Sequence, residues 1–248
     1  MTKASLGVIQ KVTSHKDSAE LYSRTHKWQG AASVELLQAL AGNPSLSETL
    51  QLELAIHKDT KVREKLAANE NRSDDIERKL LKDSEASVRA ALIRDYGWID
   101  DETELQLAQD SALSVRLALA RNDWLRKTTQ LILARDPKKE VRARLLERED
   151  GVPRGLKRMT QEILAHDSDV KIRELLAAYP NLEPSAQLLL AADDSASIRK
   201  ALAKGNGEWF GSPLSEEVQV RLAKDRDSDV RLALAENAEY KLAVPWRL

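Results

Sequence analysis

The chain contains no cysteine. That excludes disulfides, thiolate nucleophiles, thiolate-bound zinc and cysteine-held iron–sulfur clusters. Histidine is almost as scarce, with His15, His26, His57 and His166 the only ones in 248 residues. None stands three or four positions from another, and H-E-x-x-H does not occur, so no helix-borne metal site is expected. Aromatic residues make up 4 %, with one Phe. Phosphate-loop and dinucleotide fingerprints are missing, as is any defensible Ser-His-Asp spacing. Catalysis is not expected, nor is a cofactor. No run of 18 apolar residues occurs and the start of the chain has no apolar signal region, so a membrane span is not expected and a cytoplasmic location is the default. The formal net charge is -1, without the basic excess usual for proteins that hold phosphates, although a local patch stays open.

What the chain does have is Leu, Ala and charge, with 42 % hydrophobic and 32 % charged residues. Leu and Ala favour helix, and β-branched runs are missing. The few Gly and Pro fall mostly between apolar runs. A motif of Val or Ile followed by Arg recurs at Arg63, Arg89, Arg116, Arg142, Arg173, Arg199 and Arg231, at gaps of 26, 27, 26, 31, 26 and 32 residues. Six residues before all but the first stands an aspartate: Asp83, Asp110, Asp136, Asp167, Asp193 and Asp225. The first unit departs, with Asp59 four residues ahead of Arg63. Val88, Ala91 and Leu92, and their counterparts from Val115 and Val230, fall at i, i+3 and i+4, which predicts a helix burying one stripe. A second helix carries residues such as Leu105, Ala108, Leu131 and Ala134. Asp83–Ser84, Asp110–Ser111 and Asp167–Ser168 are expected to cap the following helix. Asn69, Asp95, Asn122 and Asn237 are expected to end the Arg-bearing helix in a left-handed cap.

Helices this short are marginal alone and persist by stacking on one continuous apolar core. The expectation is an all-α solenoid of about seven 26-residue repeats with degenerate capping units. It is read as one elongated domain over 1–248, with an N-terminal cap at 1–30, repeats at 31–240 and a C-terminal cap at 241–248.

The phrase V-R-x-x-L-A-x-N, clearest at Val62–Asn69, Val115–Asn122, Ile198–Asn206 and Val230–Asn237, resembles the leucine-rich repeat variant family. Asn43-Pro44-Ser45-Leu46 resembles its turn. That family belongs with HEAT and armadillo repeats among α/α superhelices. The resemblance implies a right-handed superhelix in which one helix of each pair is short or 3₁₀. Some family members carry a cysteine-ligated iron–sulfur module, which this chain cannot. The Asp-to-Arg spacing also resembles HEAT repeats, whose Asp and Arg form a ladder between units. A separate HEAT-like family excises alkylated bases with Trp, Asp and Arg in a concave groove; those residue types occur here without a close match in pattern.

Two readings of the arginine column compete: a positive stripe for an anionic partner, or a ladder in which each Arg meets the Asp of its own or the next unit. The paired aspartates and near-zero net charge favour the ladder. Function is then expected where the repeat varies. Arg94 and Arg121 lie in a variable column five residues past the ladder. Between 126 and 158 stand 11 basic against 5 acidic residues, Arg126, Lys127, Arg144 and Arg148 among them; this is a solvated face or a patch for an anionic partner. Trp98, Trp124 and Trp209 follow the Arg-bearing helix, either as an exposed edge or as staples over the turns, and Tyr179 stands near the same place. The insertion at 205–213 holds Trp209 and Phe210. The expected function is a monomeric, non-catalytic binding or scaffold module whose partner is another protein. The alternative is a nucleic-acid binder, with base excision as its enzymatic form.

Overall fold

Each repeat folds as two short helices, because its apolar residues recur at helical spacing and its polar turns end each helix after five to eleven residues. The computed structural model describes residues 31–93, 99–147, 155–205 and 213–237. Arg94, Trp98, Arg148, Trp209 and Phe210 lie outside the described residues, as do the expected caps at 1–30 and 241–248. The chain divides into two compact units, 1–124 and 125–248. Unit one contains α1 (Ala31–Ala41), α2 (Glu48–Leu54), α3 (Thr60–Ala67), α4 (Asp74–Leu80), α5 (Ala86–Ala90), α6 (Asp101–Ala108) and α7 (Leu113–Ala120). Unit two contains α8 (Lys127–Leu133), α9 (Lys139–Arg144), α10 (Arg158–Ala165), α11 (Val170–Ala177), α12 (Pro184–Ala191), α13 (Ala196–Lys204), α14 (Glu216–Ala223) and α15 (Ser228–Glu236). Among the described residues every element is α-helical, and the shorter partner in each pair is not 3₁₀. Helix ends close with single 3₁₀-type bonds instead, such as Asn122 N–H to Leu119 O at 2.9 Å.

Within each unit the Arg-bearing helices, with α1 in the equivalent place of the first repeat, stack on one another: α1 on α3, α3 on α5 and α5 on α7, then α9 on α11, α11 on α13 and α13 on α15. This is the α/α solenoid arrangement the repeat predicts. The residue before each ladder Arg is fully inside: Val62, Val88, Val115, Val141, Ile172, Ile198 and Val230 are each at most 1 % exposed. Leu66, Leu92, Leu119, Leu145, Leu176 and Leu202 pack one turn later, and Leu54, Leu80, Leu107, Leu133, Leu164, Leu190 and Leu222 come from the second helices. Emptying one such Leu site costs about 2–5 kcal/mol.

The arginines form the ladder, and its polarity is now defined. Nε and Nη2 of Arg89 reach Asp110 of the next repeat at 2.6 and 2.8 Å, while Nη1 donates to Asp83 O of its own repeat at 2.6 Å. Arg63 meets Asp83, Arg142 meets Asp167, Arg173 meets Asp193 and Arg199 meets Asp225 in the same two-pronged way. Arg116 and Arg231 make the own-repeat bonds, to Asp110 O and Asp225 O at 2.7 Å. The carboxylate therefore comes from the next repeat and the carbonyl from the arginine's own.

Three expectations about turns change. The ladder aspartates and the serines after them are not N-caps. Each aspartate sits two residues before the cap, and its Oδ1 accepts the cap residue's N–H, as from Glu85, Ala112, Lys138, Asp169, Ser195 and Asp227. An Asx turn leaves the second carboxylate oxygen for the arginine. Asp59, apparently out of register, is a true N-cap of α3, accepting from Lys61 N and Val62 N. The ladder position is held by His57, whose Nδ1 accepts Asp59 N–H at 3.1 Å. The repeat before it carries Leu37 where an arginine would stand, so no carboxylate is required there.

The terminal asparagines do not adopt left-handed caps. Among the described residues no non-glycine has positive φ. Instead their side chains reach back one repeat. Asn69 Nδ2 donates to Ala41 O and Asn43 O, both at 2.9 Å, and Asn237 Nδ2 donates to Ala203 O and Lys204 O at 3.1 and 3.0 Å. Asn thus ties together the orphan carbonyls of the previous helix. Gly205 ends α13 at φ 63, and a Cβ there would stand 2.9 Å from Asn237 Nδ2, so this position needs glycine.

A third column went unrecognised in the sequence. Twelve residues before each ladder arginine stand Gln51, Glu77, Glu104, Gln130, Gln161, Gln187 and Gln219. Gln161 is 1 % exposed; its Nε2 donates to Leu156 O and to Asn181 O, and its Oε1 accepts Glu183 N–H. Gln51, Gln130 and Gln187 repeat this pattern on their own and the next repeat. The second layer of helices therefore has its own amide ladder.

Candidate binding surfaces

The ladders commit most polar groups of the fixed columns to one another. What remains for a partner is the variable surface.

The basic stretch at 126–158 is the strongest charge asymmetry in the sequence. In the structure four of its cations pair with acids, three of those acids from beyond the stretch. Arg142 is held by Asp167 at 2.6 Å and Lys139 by Asp169 at 3.2 Å, both acids belonging to the next repeat. Arg158 pairs with Glu162 at 2.8 Å and Arg144 with Glu147 at 3.0 Å. Lys127, Arg135, Lys138 and Lys157 remain exposed in unit two. Asp167 and Asp169, which pair with two of these cations, come from the next repeat and lie outside the window.

Arg121, the exposed C-cap of α7, and Trp124 belong to unit one, whereas Arg126, Lys127 and Arg144 belong to unit two. Trp124 is 49 % exposed and is not a staple. The residue that tucks under the turn is one position later, at Leu46, Ile99, Leu125, Leu156, Leu182 and Leu214, each at most 8 % exposed. Tyr179 is 5 % exposed and occupies the asparagine column, so it does not extend a tryptophan edge.

One repeat breaks two columns at once. Arg72 occupies the buried leucine position and Glu77 the glutamine position five residues on. Arg72 Nη2 lies 2.9 Å from Glu77 Oε2, with the arginine side chain 1 % exposed, and it also donates to Leu92 O at 3.0 Å. Beside this pair a cleft of about 350 Å³ opens between α4 and α6. Asp74, Glu77, Arg78, Leu81 and Lys82 line it from α4 and the turn after it; Ile99, Asp100, Glu102, Thr103 and Gln106 line it from the α6 side. Asp100 caps α6 through Glu102 N and Thr103 N. Burial opposes its ionisation, but hydrogen bonds from Thr103 and neighbouring groups outweigh that and hold its carboxyl below the usual range.

Among the described residues no group of three His, Cys, Asp or Glu side chains could hold a metal, and no helix is long and apolar enough to cross a membrane. Neither a protein-family model nor a curated protein matches the chain. A solved structure described as a leucine-rich repeat variant with a novel repetitive protein structural motif is similar over 85 % of this chain and 80 % of its own, at 23 % identity and a TM-score of 0.53. At that identity the likeness shows the fold: an all-α repeat protein.

Proposed function

We propose that the chain is a non-catalytic binding or scaffold module that presents its repeat surface to another protein, and that among α/α superhelices it groups with the leucine-rich repeat variants. The observation that carries the protein partner over nucleic acid is the pairing within the basic stretch. Arg142, Lys139, Arg144 and Arg158 each have an acid within 3.2 Å, which lowers the phosphate-binding charge that the sequence window suggested, although Lys127, Arg135, Lys138 and Lys157 stay exposed. The variable surface instead carries isolated apolar residues, Leu52, Leu105 and Trp124 in unit one and Met159, Val220 and Leu232 in unit two, each at least 40 % exposed. Aromatic and apolar anchors set among charged rims suit protein recognition. The V-R-x-x-L-A-x-N phrase and the structural likeness support the family grouping.

The test is retention on the immobilised chain, comparing wild type with Leu105→Glu and Trp124→Ala, alongside labelled duplex DNA at low and high salt. A defined protein retained by the wild type and lost from a variant supports the reading. Salt-sensitive retention of DNA with no protein overturns it.

A further inference from the structure

We propose that the cleft between α4 and α6 is a docking site for an extended, lysine- or arginine-bearing segment of a partner protein with an apolar residue between its cations. The inference rests on the binding-module reading and supplies the partner's chemistry at one place on it.

The cleft lies at a junction of unit one that is open where the matching junctions of unit two are closed. Asp74, Glu77, Arg78, Leu81 and Lys82 recur at i, i+3, i+4, i+7 and i+8, and Ile99, Glu102, Thr103 and Gln106 at i, i+3, i+4 and i+7. Each set is one helical stripe, the two that face the cleft. In unit two the residue after the ladder glutamine and the residue two after it in the next repeat make the pairs Leu131 with Ile163, Glu162 with Leu189, and Leu188 with Arg221. At least one member of each is apolar, and α8 packs on α10, α10 on α12 and α12 on α14. At the α4–α6 junction both positions are polar, Arg78 and Gln106, and the two helices are not among the closely packed pairs; nor are α2 and α4, where the pair is Leu52 with Lys79.

The opening has an apolar floor and an acidic rim. Leu81, Ile99 and Thr103 are 8 %, 6 % and 3 % exposed. Of the charged groups on the lining, Glu77 is held by Arg72 and Arg78 by Asp75 at 2.5 Å. Asp74, Asp100 and Glu102 then stand against Lys82, an acidic excess. A rim of that sign selects cations, and the floor selects a short apolar side chain. In an extended segment successive side chains point to opposite sides, so one apolar residue meets the floor while its flanking cations stay at the rim.

The test uses the full chain and fluorescein-labelled peptides with one leucine flanked by lysines, in a glycine–serine frame, followed by anisotropy. The cationic peptide is expected to bind one-to-one, and its glutamate counterpart not to bind. Glu102→Lys and Asp74→Lys should each weaken binding about tenfold or more. Glu217→Lys, at the matching position of α14, should leave it unchanged. The variant Arg78→Leu/Gln106→Leu gives the junction the apolar pair seen at Leu131 and Ile163. It should close the cleft and abolish binding without lowering the melting temperature, although removing a cation would strengthen a purely electrostatic contact. Equal weakening by Glu217→Lys, undiminished binding by the double leucine variant, or no binding to the wild type would each overturn the assignment. The module reading is judged separately, by whether a protein partner is still retained by the Glu102→Lys variant.

Discussion

Arg72 and Glu77 form a buried ion pair at 2.9 Å in the one repeat where charged residues replace both the leucine and the glutamine of the pattern. Each is explained by the other. An arginine in a leucine site needs an anion, and a glutamate in an amide ladder needs a cation. Arg72→Leu alone leaves a carboxylate poorly compensated in the interior, and Glu77→Gln alone leaves a guanidinium; each is expected to cost about 3 kcal/mol or more. The double variant restores the pattern of the other repeats and should be close to neutral or stabilising. A cycle of urea denaturations checks this; additive losses would show that the two are not coupled.

The carboxylate ladder makes the fold acid-sensitive in a defined window. Burial disfavours the ionised forms of Asp83 and Asp110, but hydrogen bonds from Arg63 and Arg89 and from the backbone outweigh it and lower both pKa values; at Asp225 the Arg199 hydrogen bond is itself the largest cause of the lowering. A lowered folded-state pKa stabilises the fold above the unfolded value of about 3.9 and is lost as pH falls through the folded value. The melting temperature should therefore hold between neutral pH and about pH 5 and fall below about pH 4. Asp110→Asn should melt lower than wild type at neutral pH, and the gap should narrow in acid. A gap that persists undiminished at the lowest pH would place the loss elsewhere.

The amide ladder should be as costly to break as the charged one. Gln161→Ala leaves the carbonyls of Leu156 and Asn181 and the N–H of Glu183 without their partner, a loss of about 2–4 kcal/mol for buried groups. Gln106→Ala, on the polar side of α6, should change stability by about 0.5 kcal/mol or less. Denaturant midpoints of the two variants make the comparison, and similar shifts would mean that the column does not stitch the repeats.

The fold was legible because its core columns have one residue type each: Val or Ile before the arginine and Leu one turn later admit only a buried stripe. The glutamine column was legible too, at a constant offset of twelve from the arginines, but a glutamine within a helix reads as solvent-facing and two glutamates interrupt it. Asn69 and Asn237 have the residue type of a left-handed cap; that their amides reach back to the previous repeat depends on stacking, which only coordinates show. The basic stretch misled for a related reason, since Asp167 and Asp169 lie outside the window yet beside its cations. Trp124 and Leu125 are adjacent, and a shift of one residue decides which is buried.

The central claim is that the fixed columns hold the stack together and leave function to the variable ones. Arg199 and Lys204 test it on a single helix, since α13 carries one in the ladder, 5 % exposed, and the other in the variable column, exposed. The deciding measurement is the unfolding free energy of Arg199→Ala and Lys204→Ala beside wild type. The account predicts a loss of about 3 kcal/mol or more for Arg199→Ala, which strands the carboxylate of Asp225, and a change within about 0.5 kcal/mol for Lys204→Ala. Equal losses for the two variants would contradict it.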